Sequence, residues 1–161
     1  MEECAVKRTG DHNLRSGGEL PKTARITGRF QTLSVLCVYE DPLFLDRICR
    51  NLEEGGDVFV EISVSVEDAL HLMVYVHFDV VVTGFLDWNG EPNGFLRAVR
   101  EKRNEIPFIY FTGEGNTTVF TDAQQYGNVR DLTWKDGAVP VPFGRLLRCI
   151  HAVTHKPDAG P

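Results

Sequence analysis

Side chains that bind metal ions or phosphate stand at the ends of three apolar runs in this 161-residue sequence. They are two carboxylates, one hydroxyl and one amine: Glu40, Asp41, Thr112 and Lys135. Carboxylates hold divalent cations, and hydroxyl and ammonium groups donate hydrogen bonds to phosphate oxygens. A fourth apolar run, at 80–83, ends instead at Gly84, which has no side-chain oxygen. Side chains of these types could serve a metal or phosphate site, to which Gly84 would supply no ligand.

The elements that must position these side chains follow a regular alternation. From residue 33 onward, five apolar runs are each followed by a segment with helical periodicity. The runs predict strands at 33–38, 58–64, 80–83, 108–111 and 129–132. This alternation is typical of a three-layer α/β fold, with a parallel five-stranded sheet in the flavodoxin-like order 2-1-3-4-5 and helices on both faces. Because parallel strands end at one edge, the positions named above are expected to meet there.

Local signals predict where several elements begin and how deeply they are buried. Asp41 and Pro42 mark the start of the first helix, and Ser65 opens a capping box before the second. The first helix is expected to bury four side chains: Leu45, Ile48, Cys49 and Leu52. The run at 80–82 is apolar on both faces, which indicates a strand covered on both sides. Polar residues within 129–132 indicate an edge strand.

The order and spacing of these positions resemble the receiver domain of two-component response regulators, also called the CheY-like domain. In that family an acidic pair after the first strand and an Asp after the third hold magnesium, and that Asp accepts the phosphoryl group. A Thr or Ser after the fourth strand and a Lys after the fifth respond to phosphorylation. The resemblance extends over about residues 33–155 and assigns the two responding positions to Thr112 and Lys135. The stretches 111–113 and 135–137 resemble archaeal receivers.

Three departures from the receiver pattern concern the phosphorylation site itself. Gly84 stands in the acceptor position, so the nucleophile and one metal ligand are missing. Tyr39 stands where the first metal-binding acid belongs, which leaves Glu40 and Asp41 as remnants of the acidic pair. Leu132 replaces the aromatic residue that often precedes the Lys by three positions. The sequence therefore predicts a pseudo-receiver with weak or no magnesium binding, no enzymatic activity and no phosphorylation.

Two alternative functions belong to other classes. Asp87, three residues past Gly84, is the nearest carboxylate in that loop and is a candidate acceptor of a phosphoryl group in an active receiver. Alternatively, the same edge of a flavodoxin-like sheet holds a phosphorylated small molecule. Acid-labile phosphate after incubation with acetyl phosphate would indicate the first alternative, and a coloured protein or a nucleotide released on heating would indicate the second.

Composition narrows the cellular setting and the class of partner. Residues 1–32 carry six basic and four acidic residues, so the remainder holds 11 basic and 19 acidic residues. Such an acidic domain is a poor candidate for non-specific nucleic-acid binding. No run approaches 18 apolar residues, which predicts no membrane span, and the acidic N-terminus lacks an apolar signal core. Together with two cysteines in apolar patterns, Cys37 and Cys49, expected to be buried and reduced, these features predict a cytoplasmic protein.

The expected organisation is a flexible segment at 1–31, a receiver-like domain at 32–155 and a short tail at 156–161. The resemblance implies signalling partners such as a histidine kinase or an output protein in a phosphorelay. It also implies a surface for homodimers or partners on the fourth helix, fifth strand and fifth helix. Four residues are expected on that surface: Val119, Tyr126, Leu132 and Arg145.

Overall fold

The computed structural model describes residues 32–113, 115–134 and 140–154, in which five strands alternate with five helices. The strands are β1 Leu33–Val38, β2 Val58–Ser63, β3 Val80–Thr83, β4 Phe108–Thr112 and β5 Val129–Thr133. The helices are α1 Pro42–Glu53, α2 Val66–Tyr75, α3 Gly94–Glu101, α4 Thr117–Gln124 and α5 Phe143–Thr154. None of these described helices is long and apolar enough to cross a membrane.

The five strands form one parallel sheet in the order β2-β1-β3-β4-β5. This topology confirms the predicted α/β fold and the strand order 2-1-3-4-5. All four residues of β3 are buried, as its apolar character on both faces predicted. β5 lies at an edge of the sheet and leaves Arg130, Asp131 and Thr133 exposed, which confirms the prediction of a polar edge strand.

Alternate residues of the strands belong to separate apolar layers on the two faces of the sheet. Val35 and Cys37 of β1 belong to the layer that α1 and α5 cover. Leu36 and Val38 belong to the opposite layer, which α2, α3 and α4 cover. The period of two along a strand produces this division, because successive side chains point to opposite faces. Helices therefore pack on both faces of the sheet, and this packing positions the residues at its carboxyl edge.

Capping side chains begin the first two helices as the sequence predicted. The Asp41 carboxylate accepts a hydrogen bond from the Leu43 N–H at 3.0 Å, and Pro42 is the first helical residue. The Ser65 hydroxyl accepts a hydrogen bond from the Asp68 N–H at 3.1 Å. The predicted apolar stripe of α1 is completely buried: Leu45, Ile48, Cys49 and Leu52.

The two cysteines of the core differ in their chemical state. Cys37 is buried and free, as predicted. Cys49 is also buried, but it is disulfide-bonded, so the prediction of a reduced thiol is wrong for this residue.

Candidate functional site

A cleft of about 670 Å³ opens at the carboxyl edge of the sheet. Five positions that the sequence analysis singled out lie in its lining: Tyr39, Glu40, Asp41, Gly84 and Thr112. They come from the ends of β1, β3 and β4, which the parallel pairing of these strands places side by side. The sixth position, Lys135, lies outside the described residues.

Tyr39 crosses this edge and is held by a hydrogen bond at its far end. Its hydroxyl donates to the backbone carbonyl of Phe111 at 2.7 Å, so the side chain reaches from the end of β1 to β4. Only 9% of Tyr39 is exposed, and burial raises the pKa of its phenol well above the usual value. The phenol is therefore neutral at physiological pH, and its O–H group already donates a hydrogen bond to Phe111. Both features make it a poor ligand for magnesium.

Gly84 is buried directly beneath the ring of Tyr39. A Cβ atom placed on Gly84 would lie 3.3 Å from Tyr39 Cε2 and 3.4 Å from Cδ2, and 3.9 Å from Thr112 Cγ2. The first distance is tighter than most real contacts of a Cβ atom. Any side chain at this position therefore requires the Tyr39 ring to give way by a few tenths of an ångström.

The two carboxylates that line the cleft, Glu40 and Asp41, are exposed at its rim. Asp41 caps the N-terminus of α1, and both Asp41 and Glu40 are exposed. Among the residues that the structure describes, no cluster of three His, Cys, Asp or Glu side chains could hold a metal ion. Magnesium prefers near-octahedral oxygen ligands, usually including one or two carboxylates. With Gly84 and the engaged phenol of Tyr39 in the central positions, these residues do not fit a receiver-type magnesium site.

Asp87, the alternative acceptor, lies next to a small turn and outside the lining of the cleft. Trp88 and Glu91 form an antiparallel bridge around Asn89 and Gly90, whose φ angles are 55° and 77°. Positive φ at both central positions is the signature of a tight type I′ turn. Asp87 immediately precedes this turn, is exposed, and does not line the cleft.

Aromatic side chains form much of the cleft and the layer beside it. The Tyr39 ring meets Phe44 edge-on with the centroids 4.9 Å apart. Phe111 and Trp134 have centroids 4.5 Å apart, and Phe44 stacks at 6.4 Å from each of them. This cluster was not predicted from the sequence. Its signals were Phe44, one helical turn before the buried Ile48, and Phe111, immediately before Thr112.

A buried polar network supports the loop between β3 and α3. The Tyr110 hydroxyl donates to Asn93 Oδ1 at 2.8 Å. Asn93 Nδ2 in turn donates to the Val119 carbonyl at 2.9 Å and to Asp122 Oδ2 at 3.0 Å. Phe85, the residue after Gly84, stacks on Tyr110 with the centroids 4.7 Å apart. The loop that borders the cleft is thereby tied to both β4 and α4.

No protein-family model matches the sequence, and no match was found among the curated proteins. Solved structures are similar to it in fold. The receiver domain of the Francisella response regulator 1452 has a TM-score of 0.64 at 19% identity, over 76% of this chain and 97% of that domain. A two-component response regulator from Clostridium difficile has a TM-score of 0.66 at 16% identity, over 80% and 100%. A CheY-like receiver from Methanospirillum hungatei JF-1 has a TM-score of 0.64 at 20% identity, over 76% and 93%.

These similarities define the class of fold. The described chain has the CheY-like fold of response-regulator receiver domains, with the cleft at the edge of the sheet where ligands bind in open α/β folds.

Proposed function

We propose that this chain is a receiver-like signal-transduction domain in a two-component pathway, and that the domain is not phosphorylated and acts by protein–protein interaction. One observation carries the proposal: the ring of Tyr39 packs against Gly84 and donates its hydroxyl proton to Phe111. In this pseudo-receiver, Gly84 supplies no acceptor oxygen, and a neutral aromatic ring crowds the Cβ position of any residue that would replace it.

The chemistry of phosphoryl transfer supports the absence of phosphorylation. Transfer to a carboxylate needs a nucleophilic oxygen in line with the leaving group and a cation that neutralises the phosphate. Gly84 offers no oxygen, and Asp87 is an exposed residue outside the cleft. Glu40 at the rim supplies only one carboxylate, which is not a sufficient set of ligands to hold magnesium by itself. The chain therefore takes part in signalling without accepting the phosphoryl group.

The direct test combines phosphorylation with metal binding. The protein is incubated with acetyl phosphate and magnesium and run on a phosphate-affinity gel, with an active receiver as the positive control. We expect no shifted band and no saturable magnesium binding below about 1 mM. A shifted band that disappears in Asp87→Asn would establish the alternative acceptor and overturn the proposal. Saturation below that concentration, lost in Glu40→Gln, would contradict the metal argument.

A partner such as a histidine kinase, an output protein or a second copy is proposed to bind the face formed by α4, β5 and α5. Support comes from three half-buried apolar side chains near it, Val119, Tyr126 and Leu132, and from the exposed Arg145. The discriminating experiment compares Tyr126→Glu with Tyr75→Glu in size-exclusion chromatography and in pull-downs from native lysate. Tyr75 lies on α2 and is 77% exposed, which makes it a matched control. Loss of binding in Tyr75→Glu alone would move the partner surface to α2.

A further inference from the structure

The cleft at the carboxyl edge of the sheet has aromatic side chains on several sides. Five line it: Tyr39, Phe44, Phe85, Phe111 and Trp134. Tyr39 and Phe111 are buried, whereas the other three are half-buried and keep ring surface accessible. They come from α1, from the loop after β3 and from the end of β5, so separate elements surround one volume. Aromatic walls with a few polar groups are typical of small-molecule sites.

Trp134 is held in place before any ligand arrives. A Cβ atom on Gly113 would lie 3.0 Å from Trp134 Cε2 and Nε1, so the indole rests on backbone that only a glycine leaves open. The Phe111 ring packs against the indole with the centroids 4.5 Å apart, and the Phe44 ring lies 6.4 Å from the indole and 25° from parallel to it. A ring that is already ordered loses little conformational entropy when a ligand stacks on it.

Two carboxylates at the rim of the cleft disfavour an anionic ligand. The described residues of its lining include two exposed carboxylates, Glu40 and Asp41, and no Lys, Arg or His. Hydrogen-bonding groups at the rim come from Thr112 and Asn116. An aromatic face attracts positive charge and offers dispersion contacts to neutral rings, while a carboxylate repels a phosphate or sulfonate.

We propose that this cleft binds a planar aromatic molecule that carries no negative charge. Its volume of about 670 Å³ lies within the range of about 300–1,000 Å³ that small-molecule sites occupy. The ligand ring stacks on Trp134 and Phe44, and a polar substituent reaches Thr112 or Asn116 at the rim. This goes beyond the proposed signalling function, because loss of phosphorylation alone requires no ligand in the cleft.

The first experiment uses two fluorescent probes with the same rings and different charge. N-Phenyl-1-naphthylamine is neutral, and 8-anilinonaphthalene-1-sulfonate carries a negative charge. We expect saturable 1:1 binding of the neutral probe and at least about fivefold weaker binding of the sulfonate. Absence of saturable binding of the neutral probe, or equal affinity for both probes, would overturn the proposal. If the neutral probe does not bind, the cleft could still accept a side chain of a partner protein, but it would not be the small-molecule site proposed here.

The second experiment locates the binding site with matched variants. Trp134→Leu and Phe44→Leu each remove one stacking surface and are expected to weaken binding of the neutral probe by about tenfold. Tyr75→Leu removes an exposed aromatic ring outside the cleft and should leave the affinity unchanged. Circular dichroism establishes that each variant is folded. An equal loss in Tyr75→Leu would show non-specific adsorption and contradict the proposal.

Amide chemical shifts of the wild-type protein give a readout that needs no variant. Addition of the neutral probe should shift the amide signals of Gly84, Thr112 and Gly113, which line the cleft. The amide signals of α2 should not shift. Val74 and Tyr75 on α2 are exposed apolar side chains, so a compound that binds non-specifically to apolar surface would shift the signals of α2 as well. Shifts confined to α2, or spread over the whole molecule, would overturn the assignment of the site.

Discussion

The Tyr39 ring lies 3.3 Å from the point where a Cβ atom on Gly84 would stand. The two residues follow neighbouring strands whose last paired residues are Val38 and Thr83, so positions 39 and 84 are side by side at the carboxyl edge. A Cβ atom at position 84 would therefore crowd the ring at position 39. The two departures from the receiver pattern, Gly84 and Tyr39, are neighbours in this chain.

Gly84→Ala should destabilise the protein although it adds only one methyl group. The new Cβ atom presses on a buried ring that is tied to Phe111, and overpacking of this kind costs about 1–3 kcal/mol of the free energy of unfolding. The matched control is Gly144→Ala on α5, where the nearest atom to the new Cβ lies 4.0 Å away. That change should be neutral or stabilise by up to about 1 kcal/mol.

Urea unfolding of both variants measures the difference, and a double-mutant cycle with Tyr39→Ala assigns its cause. The cost of Gly84→Ala should largely disappear once the ring is removed, because the crowding is specific to this pair. An equal cost with and without the ring would show that the strain at Gly84 has another origin.

Restoring phosphorylation should require two changes at once. Gly84→Asp alone places a carboxylate against the Tyr39 ring, and Tyr39→Asp alone lacks the acceptor. The double variant removes the clash and supplies two oxygen ligands beside Glu40, so it should accept phosphate from acetyl phosphate in the presence of magnesium. Magnesium should also raise its Tm, because the bound ion relieves the repulsion between the carboxylates.

A phosphate-affinity gel of the wild type, both single variants and the double variant decides this prediction. Strong labelling of Gly84→Asp alone would show that the packing of Tyr39 is no obstacle to the chemistry. Strong labelling of Tyr39→Asp alone would show that another residue is the acceptor. An unlabelled but folded double variant would mean that further positions of the cleft are incompatible with the reaction.

Alkaline pH should destabilise the fold through three buried acids: Cys37, Tyr39 and Tyr110. Burial is the main cause that raises the pKa of each above its usual value. The unfolded chain begins to release the Cys37 proton above about pH 8 and the tyrosine protons above about pH 9, whereas the folded chain retains them. Stability is therefore fully present below about pH 8 and falls as the pH rises, by up to about 1.4 kcal/mol per pH unit for each group.

Urea unfolding at pH 8 and at pH 10.5 measures the loss. Tyr39→Phe should be less stable at pH 8, because the hydrogen bond to Phe111 is gone, yet it should lose less on going to pH 10.5. Tyr75→Phe, at an exposed position, should match the wild type at both pH values. A Tyr39→Phe variant with the full alkaline loss would exclude the Tyr39 phenol as a contributor.

Asn93→Ala should weaken the loop that borders the cleft. The change leaves the buried Tyr110 hydroxyl without its acceptor and removes two bonds to α4, at a cost of about 2–3 kcal/mol. Asn51→Ala, which removes one exposed hydrogen bond to the Arg47 carbonyl, should cost less than about 0.5 kcal/mol. Denaturant titrations compare the two. Adding Tyr110→Phe to Asn93→Ala should recover part of the loss, and no recovery would contradict this account of the network.

Periodicity and capping chemistry were sufficient to predict the fold. The apolar runs repeat at the spacing of buried strands, Asp41 and Ser65 begin helices where a side-chain oxygen can accept a backbone proton, and β3 is apolar on both faces. These are local properties, each fixed by a few adjacent residues. Parallel strands then bring their carboxyl ends to one edge, so the meeting of Glu40, Gly84 and Thr112 also followed from their order along the chain.

The sequence alone showed that Gly84 and Tyr39 depart from the receiver pattern. Read from the sequence, the missing acceptor carboxylate and the missing metal-binding acid were two separate departures. Tertiary structure placed them together: the Tyr39 ring lies 3.3 Å from the point where a Cβ atom on Gly84 would stand, and its hydroxyl bonds to Phe111. These residues are 45 and 72 positions from Tyr39. The aromatic cleft arose in the same way, from Phe44, Phe85 and Trp134 on three separate elements. Periodicity reports which face of an element is buried; which side chains from distant elements share one volume depends on packing in three dimensions.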